Sequence, residues 1–545
     1  MLTARGISRA HGTQPVLERV SLSIGLHSRI GLVGPNGIGK STLLRILAGL
    51  EAPDAGTVER SPASLTVGYL AQEPDARPGE ALLDYLRRRT GVAHAESRLD
   101  DLTEALAANP SSLDAYGAAL DRYVALGGHD LTARAASVCD DLGLPGDRLA
   151  VAVGDLSGGQ AARAGLAAIL LARFDVFLLD EPTNDLDFAG LARLEQFVTG
   201  LPGAIMVVSH DRAFLDGCVQ RIVEIQEPEH TVVEFAGGWS DYVERRALAR
   251  SQWAESHRRY LAERDRLRAR IREQRSWSET GVRTAKRRPR DNDKAQRGFV
   301  VNRTEKQASK VKASERKLGQ LEAVDKPWEG WELHLAIGSG RRSGDVVARL
   351  DRAVVERGGF RLGPVDLEVV WRDRLAILGA NGSGKTTLLR ALLGQVPLSS
   401  GARYLGPGVV AGELDQRRGG FSGDGEVLER VMAETGLLAE EARSLLAKFG
   451  LTAEHVLRPG AQLSPGERTR AILATLMAKQ VNCLVLDEPT NHLDVAAIEQ
   501  LEGALDQFEG TVMVVSHDRW LLETLRLTRT VTLESGRLVV DTVGR

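Results

Sequence analysis

Gly34-Pro35-Asn36-Gly37-Ile38-Gly39-Lys40-Ser41 is the stretch that most constrains the fold, and it recurs as Gly379-Ala380-Asn381-Gly382-Ser383-Gly384-Lys385-Thr386. Both copies match the pattern G-x-x-x-x-G-K-[ST], and each stands between an apolar strand-like run and a helix-like run. Glycines at these positions let backbone N–H groups face phosphate oxygens at the N-terminus of a helix. The sequence therefore predicts two phosphate-binding loops, each within an α/β domain.

The side chains of these loops predict ATP and Mg²⁺ as ligands. Lys40 and Lys385 are expected to reach the terminal phosphates, while the hydroxyls of Ser41 and Thr386 can hold Mg²⁺. The predicted ATP-binding residues of the loops are Gly34, Asn36, Gly37, Gly39, Lys40, Ser41 and Thr42, with Gly379, Asn381, Gly382, Gly384, Lys385, Thr386 and Thr387.

An acidic pair follows an apolar strand-like run in each half, at Asp180-Glu181 and at Asp487-Glu488. Ligands of parallel α/β sheets lie at the carboxyl ends of the strands, where these pairs are expected. Asp180 and Asp487 are therefore predicted to hold Mg²⁺, and Glu181 and Glu488 to polarise the attacking water. The alternative is a solvated turn.

Two further segments keep their spacing to the acidic pairs. Leu156-Ser157-Gly158-Gly159-Gln160 and Leu463-Ser464-Pro465-Gly466-Glu467 place their serines at the same interval before the aspartates, and a Ser-His-Asp-Arg segment places its histidine at the same interval after each glutamate. These motifs, in this order and twice, resemble those of the ABC ATPase superfamily. A lone histidine after a strand is usually structural, but the repeated register favours a functional role for His210 and His517.

The resemblance implies roles for these segments. In ABC proteins the signature segment of one domain closes over the nucleotide held by the other, and a switch histidine, here His210 or His517, contacts the terminal phosphate. The implied signature residues are Ser157, Gly158, Gly159, Gln160, Ser464, Gly466 and Glu467. Gln72 and Gln416, which follow the loop lysines at nearly equal intervals, resemble the glutamine that coordinates metal and water. His11 and Phe360 remain alternatives for stacking on adenine.

Composition excludes several classes of protein. The chain has 545 residues, of which 43% are hydrophobic and 26% charged, which is typical of a globular protein of two or three domains. No apolar run is long enough to predict a membrane span, and the N-terminus lacks the apolar core of a secretory signal. We expect a cytoplasmic protein. Three scattered cysteines predict buried hydrophobic residues rather than disulfides or a cluster.

Positive charge is concentrated between the two halves. Residues 244–326 contain 25 Lys and Arg against 12 Asp and Glu, although the whole chain has a net charge of −3. A local net charge of +13 indicates a polyanionic partner, most often nucleic acid. The first part, from Asp241 to about Glu279, has no Gly or Pro and predicts a helix of about 55 Å. A second helix is predicted from about Asn302 to Val324, and a thin apolar heptad seam favours an antiparallel hairpin.

Two ABC domains, no membrane segment and a basic helical hairpin between them resemble the ABC-F family of ribosome-associated ATPases over essentially the whole chain. The predicted fold is α/β, with ATPase domains at 1–240 and 327–545 joined by a basic α-helical hairpin linker at 241–326. The resemblance implies that the hairpin enters the ribosome from the tRNA exit site and that its tip, about 276–299, approaches the P-site tRNA, the ribosomal RNA and the peptidyl-transferase centre. The predicted RNA-binding residues are Arg283, Lys286, Arg287, Arg288, Arg290, Lys294 and Arg297. The alternatives are a solvated linker and a highly charged coiled coil without a ligand.

The halves differ in two ways. The interval from Lys40 to Asp180 is much longer than that from Lys385 to Asp487, which predicts an insertion at about 75–128. This segment is either a ribosome-contacting helical arm, as in ABC-F proteins, or a helical subdomain packed on the core. Pro465 replaces the usual glycine in the second signature, so the site built on Lys40 is the more doubtful one. Both halves keep the glutamate, and both are predicted to hydrolyse ATP.

The predicted mechanism is a monomeric clamp whose two ATPase domains pair within one chain, close on ATP and reopen after hydrolysis. Among ABC-F roles, the long tip favours antibiotic resistance by ribosomal protection over a housekeeping translation factor. A second class, the ATPase subunit of a drug-export ABC transporter, is permitted by the doubled domain but requires no long basic hairpin. A DNA-repair or chromosome ATPase would require zinc-ligand cysteine pairs or a longer coiled coil.

Overall fold

A computed structural model describes residues 1–12, 14–71, 77–108, 112–156, 158–184, 186–287, 312–321, 342–414, 421, 423, 425–491 and 493–543, with the backbone alone at 108, 158, 159, 274–287 and 465. Contacts divide the chain into one unit of residues 1–240 with 332–545 and a second of residues 241–331. Seven predicted site residues lie outside the described residues: Gln72, Ser157, Gln416, Arg288, Arg290, Lys294 and Arg297.

The strand that precedes the first phosphate loop, β3 (Arg29–Val33), lies inside a six-stranded sheet. Ile30, Leu32 and Val33 are buried, as expected for a strand covered on both faces. The order is β5-β6-β7-β3-β8-β9, and the neighbours are parallel except for β8 and β9. The other strands are β5 (Val67–Leu70), β6 (Val176–Asp180), β7 (Ala204–Val208), β8 (Arg221–Ile225) and β9 (Val232–Ala236).

A smaller antiparallel sheet and a set of helices complete the first half. The sheet has the order β2-β1-β4 and consists of β1 (Leu2–His11), β2 (Gln14–Ile24) and β4 (Ala55–Arg60). The helices are α1 (Lys40–Ala48), α2 (Leu82–Arg89), α3 (Val92–Ala108), α4 (Leu113–Ala125), α5 (Leu131–Asp141), α6 (Gly158–Leu171), α7 (Phe188–Gly200) and α8 (Arg212–Cys218). One apolar cluster joins both sheets to α1 and so fixes the base of the phosphate loop.

The second half repeats this topology. Its small sheet has the order β11-β10-β13, with β10 (Val346–Arg357), β11 (Phe360–Val370) and β13 (Ser400–Leu405). Its six-stranded sheet has the order β14-β15-β16-β12-β17-β18, with β12 (Arg374–Gly379), β14 (Ala411–Leu414), β15 (Cys483–Asp487), β16 (Thr511–Val515), β17 (Arg529–Glu534) and β18 (Arg537–Val543). The helices are α11 (Lys385–Leu393), α12 (Val427–Thr435), α13 (Ala439–Lys448), α14 (Ala453–Val456), α15 (Pro465–Ala478), α16 (Val495–Asp506) and α17 (Arg519–Thr524). The predicted fold of two tandem α/β domains is confirmed.

The two halves differ in the segment that precedes the signature helix, which lies between β5 and α6 in the first half and between β14 and α15 in the second. α3 and α4 pack against each other and lie within residues 75–128, where the insertion is predicted. In the second half, α12 ends at Thr435 and α13 begins at Ala439, so no equivalent pair stands between them. α4 keeps Leu113 and Val124 exposed.

The second unit is helical in its described part. α9 (Trp239–Arg287) runs for 49 residues, and a helix at 312–320, α10, lies within the range predicted for the second helix. Leu267, Ile271 and Ser314 are buried. The predicted end of the first helix near Glu279 is wrong, because the helix continues through Gly281, where glycine costs only about 1 kcal/mol.

The edge strand β5 is sensitive to substitution at Gly68, because the ring of Phe174 packs closely against this glycine. A Cβ at Gly68 would lie 2.0 Å from Cδ2 of Phe174. Gly68→Ala should therefore destabilise the protein by about 1–3 kcal/mol through overpacking. Gly117→Ala is the control, because nothing lies within 4 Å of its Cβ position inside α4, and it should stabilise by about 0.5–1 kcal/mol. Calorimetric unfolding of both variants tests this, and equal shifts in Tm would contradict it.

Candidate ATPase sites

Both phosphate loops have a backbone that favours glycine at three positions. The φ angles are 151°, 83° and 110° at Gly34, Gly37 and Gly39, and 147°, 81° and 103° at the corresponding glycines of the second loop. A Cβ at Gly34 would lie 2.9 Å from the carbonyl oxygen of Ile225, so space as well as conformation excludes a side chain there. α1 and α11 then begin at the loop lysines, with Gly39 and Gly384 as their N-caps.

The loop lysines are buried inside the turns that precede them. Lys40 Nζ donates to the carbonyl oxygens of Gly34 at 2.7 Å and Pro35 at 3.0 Å. Lys385 Nζ donates to the carbonyl oxygens of Gly379 at 2.8 Å and Ala380 at 3.2 Å. Burial lowers the pKa of both lysines, and nearby carboxylates act in the opposite direction. A buried ammonium at a helix N-terminus suits a polyphosphate, whose negative charge would offset the desolvation.

A hydroxyl and a carboxylate lie side by side at each loop. Thr386 Oγ1 donates to Asp487 Oδ2 at 2.8 Å, and Ser41 hydrogen-bonds Asp180 in the first half. Tyr69 also donates to Asp180 Oδ2 at 3.0 Å, whereas Asp180 Oδ1 is buried without a hydrogen bond. Burial raises the pKa of Asp180. These oxygens fit Mg²⁺, which takes one or two protein carboxylates together with hydroxyl, phosphate and water oxygens.

The glutamate and the histidine of each half meet at one sheet edge, because neighbouring parallel strands end there. Glu181 follows β6 and His210 follows β7, and Glu181 Oε1 lies 3.5 Å from His210 Nε2. In the second half Glu488 Oε1 lies 3.4 Å from His517 Nε2. Lys385 Nζ also lies 3.2 Å from His517 Nε2, which connects the histidine with the loop lysine.

Both glutamates are held in an unusual backbone conformation. Their φ angles are 51° for Glu181 and 49° for Glu488, a left-handed region that is uncommon for residues other than glycine. The N–H of Glu181 donates to Val208 and that of Glu488 to Val515, both at the end of the adjacent strand. Such strain, of order 1–3 kcal/mol per residue, persists only where surrounding structure fixes it, and it is concentrated at functional sites.

Electrostatics sets the protonation of these groups. Burial raises the pKa of Glu181, but contacts with His210, Lys40 and Asn184 outweigh it and lower the pKa to about 2. Burial and the charge of Lys385 lower the pKa of His517 to about 4. Near neutral pH the first site therefore presents a carboxylate at Glu181, and the second site presents a neutral imidazole at His517.

Each phosphate loop is also contacted by the other half of the chain. The N–H of Asn36 donates to Asp494 Oδ2 at 3.2 Å, and the N–H of Asn381 donates to Asp187 Oδ2 at 3.1 Å. Asp187 and Asp494 are the N-caps of α7 and α16. The two ATPase domains therefore pair within the chain, and each site contains groups from both.

Comparison with known proteins agrees with this organisation. The family model described as ABC transporter matches residues 17–184 and 362–491. The chain is 34% identical to the tylosin resistance ATP-binding protein TlrC of Streptomyces fradiae, over 95% of this chain and 94% of TlrC. It is 31% identical to the energy-dependent translational throttle protein EttA of Mycobacterium tuberculosis, over 96% of this chain and 89% of EttA. The chain belongs to the ABC-F family of ABC ATPases.

Solved structures support the fold alone. The structure of RNase-L inhibitor covers 99% of this chain with a TM-score of 0.60 at 19% identity, and the chain covers 91% of that structure. Among the helices of the described residues, none combines the length and the apolar character that a membrane span requires. As an ABC-F protein the chain is an ATPase.

The second signature segment of this ABC-F protein forms a regular helix start. Ser464 is the N-cap of α15, its Oγ accepts from the N–H of Glu467 at 3.3 Å, and Glu467 Oε2 accepts from the N–H of Ser464 at 2.8 Å. Pro465 occupies the first helical position, where proline is favoured because its missing N–H has no intrahelical partner. Glu467 Oε1 also lies 3.2 Å from His455 Nε2. The proline is therefore locally compatible with the segment.

The two candidates for adenine stacking lie in different surroundings. Cζ of Phe360 lies 2.8 Å from the Cβ position of Gly384, which places the ring against the second phosphate loop. The His11 side chain is 54% exposed, and its Nε2 lies 3.6 Å from Glu51 Oε1. In the first half, the aliphatic residues Val16 and Leu17 occupy the space beside Gly39.

Sequence reasoning misses several residues that the structure brings to the sites. It does not predict the contacts of Asp187 and Asp494 with the phosphate loops, or that of Tyr69 with Asp180. Phe188 of the first half also packs edge-on against His517, with ring centroids 5.0 Å apart. The repetition of Asp187 and Asp494 at the same interval after their glutamates is the signal that could have identified the first pair.

If Phe360 stacks on adenine, Phe360→Ala should weaken ATP binding at the second site about fivefold or more, because base stacking on an aromatic ring is worth about 1–3 kcal/mol. Phe360→Tyr should retain the affinity, and His11→Ala should change the first site less. Calorimetric titration of ATP and Mg²⁺ into Glu181→Gln, Glu488→Gln protein measures all three. Unchanged binding by Phe360→Ala would exclude the stacking role.

Proposed function

We propose that this ABC-F ATPase binds the ribosome as an ATP-closed clamp and gives antibiotic resistance by protecting the ribosome. The observation that carries the proposal is the reciprocal contact of each domain with the other's phosphate loop, in a chain whose residues 244–326 hold 25 Lys and Arg against 12 Asp and Glu. ATP closure is thereby linked to a segment whose charge suits ribosomal RNA.

The proposed roles at each site follow the geometry. Lys40 and Lys385 bind the terminal phosphates, while Ser41 with Asp180 and Thr386 with Asp487 hold Mg²⁺. The ATP–Mg²⁺ complex supplies the phosphoryl group and the charge neutralisation. Glu181 and Glu488 orient and polarise water as carboxylates, and His210 and His517 hold these glutamates in position. Gln72 and Gln416 are proposed to coordinate metal and water. The signature residues of each domain are proposed to close over the nucleotide held by the other domain.

The linker is proposed to be the ribosome-contacting element. Its α9 is 49 residues long, which corresponds to about 74 Å at 1.5 Å per residue. From the tRNA exit site, its tip would approach the P-site tRNA and the peptidyl-transferase centre. Arg283, Lys286, Arg287, Arg288, Arg290, Lys294 and Arg297 would bind phosphates there. Such contacts give affinity without sequence specificity.

Two relatives support different roles for the clamp. TlrC is named as a tylosin resistance protein, and this chain spans 94% of it, which supports a role in antibiotic resistance. EttA is named as a translational throttle protein, which supports a translation factor as the second candidate. Minimum inhibitory concentrations of drugs that bind near the peptidyl-transferase centre, measured with and without expression of the chain, separate the two. A rise that Glu181→Gln with Glu488→Gln abolishes supports protection, and no rise for any such drug supports the translation factor.

The clamp proposal predicts that hydrolysis controls release. Glu181→Gln with Glu488→Gln should keep the nucleotide contacts but slow hydrolysis about 100-fold or more. This variant should pellet with ribosomes in ATP and remain in the supernatant without ATP. Lys40→Ala with Lys385→Ala is the matched control and should not pellet in either condition. Absence of ATP-dependent pelleting, together with recovery in the membrane fraction, would contradict the clamp and support the drug-exporter ATPase instead.

The linker proposal predicts a salt-dependent contribution from the tip. Replacing Arg283, Lys286, Arg287 and Arg288 by alanine should weaken ribosome binding and flatten the plot of log K against log[salt] by about 0.7–0.9 for each phosphate that the tip no longer neutralises. The control replaces four exposed arginines of the ATPase domains, Arg5, Arg361, Arg372 and Arg526. An equal change of slope in both variants would show that the tip has no special role.

A further inference from the structure

α7 and α16, which we call the interface helices, each contact the opposite domain at two points. The first point is the N-cap aspartate at the opposite phosphate loop, Asp187 for α7 and Asp494 for α16. The second point lies about two turns later in both helices, at Glu195 and Glu502. Two turns span about 11 Å of helix, so each interface helix is attached to the other domain at both ends of this length.

The partners of these glutamates are arginines at equivalent positions. Arg212 and Arg519 each stand shortly after the histidine of their own domain and begin α8 and α17. Arg212 pairs with Glu502 of the second domain, and Arg519 pairs with Glu195 of the first. The histidine end of each sheet is therefore connected to the helix whose other end contacts the phosphate loop of the same site.

The Arg212 pair is buried and multiply bonded. Arg212 Nη1 donates to Glu502 Oε2 at 2.9 Å, and Nη2 donates to Glu502 Oε1, which gives a two-pronged pair. The Arg212 side chain is 4% exposed and that of Glu502 11%. Asp518 lies 3.9 Å from Nη2, and the guanidinium carbon lies 5.1 Å from the ring centroid of Trp520. All of these partners belong to the second domain.

The Arg519 pair is more exposed and has one hydrogen bond. Arg519 Nη1 donates to Glu195 Oε1 at 3.0 Å, and the two side chains are 39% and 28% exposed. Water screens an exposed pair, so its removal has little effect, whereas removal of one partner from a buried pair leaves an uncompensated charge. The same sequence pattern has therefore produced one buried, doubly hydrogen-bonded connection and one more exposed connection.

We propose that Arg212 and Arg519 are positioning residues that connect the interface helices to the histidine ends of the ATPase sites, and that their inequality makes the two sites open in order. The Arg212–Glu502 pair holds α16, and with it Asp494, against the phosphate loop of Lys40. The Arg519–Glu195 pair holds α7 and Asp187 against the loop of Lys385 less firmly. The site built on Lys385 therefore opens first. This order rests on the proposed clamp, whereas the two connections do not.

The connections are tested without nucleotide, by hydrogen exchange of the full chain followed by mass spectrometry. Arg212→Gln and Glu502→Gln should each speed exchange in α16 by at least about tenfold, and the double variant should exchange no faster than the worse single variant. The matched set, Arg519→Gln, Glu195→Gln and their double, should speed exchange in α7 by less than about threefold. Additive effects, or equal effects in the two sets, would overturn the proposal. If Arg212→Gln does not fold, Glu502→Gln and Arg212→Lys supply the comparison.

A second readout separates positioning from general stability. Because the pairs link the two domains, Glu502→Gln should lower the Hill coefficient of ATP hydrolysis towards one, and Glu195→Gln should change it less. A fall in maximal rate at an unchanged Hill coefficient would indicate a merely structural role and count against positioning. Failure of the ribosome-clamp proposal has a different result. In that case the Glu181→Gln, Glu488→Gln variant would not pellet with ribosomes, while the hydrogen-exchange results would still show the two connections.

Discussion

Two carboxylates, Asp187 and Asp494, hold the ATPase unit together at the points where its chemistry is placed. Each uses one oxygen to cap its own helix, from Gly190 N–H at 3.0 Å or Ala497 N–H at 2.9 Å. The other oxygen accepts from the phosphate loop of the opposite domain. A single side chain thus fixes the start of an interface helix and the approach of two domains. Neither phosphate loop has its full set of neighbours until the halves of the chain meet.

This arrangement explains why both domains are needed in one chain. The lysine, hydroxyl, aspartate, glutamate and histidine of a site come from one domain, at the carboxyl ends of the neighbouring strands β6, β7 and β3 or β15, β16 and β12. The glutamates stay in a left-handed conformation because strand pairing fixes the residue before each of them. Asp187 and Asp494 come from the opposite domain, so separation of the domains would remove each of them from its site.

The parts that depend on local chemistry could be predicted from the sequence. A phosphate loop needs glycine, lysine and a hydroxyl at fixed offsets, so both loops and the acidic strands could be located from spacing alone. Contacts between domains could not be located in this way, because Asp494 and Asn36 are far apart in the chain and their meeting depends on the pairing of two folded halves. The end of α9 is misplaced for a different reason. The pattern predicts a break at Gly281, but one glycine within 49 helical residues is a small penalty.

The two halves have similar backbones, but the side-chain contacts at their two sites differ. The second site has Phe360 beside its loop, Phe188 against His517 and a lysine–histidine contact at 3.2 Å. The first site has aliphatic Val16 and Leu17 beside Gly39, but it has the buried, two-pronged Arg212–Glu502 pair behind it. Aromatic side chains thus lie against the loop and the histidine of the second site, while the more buried of the two ion pairs between the domains lies behind the first. The two halves therefore share one topology, and the side chains at the contact between the domains are what distinguish the two sites.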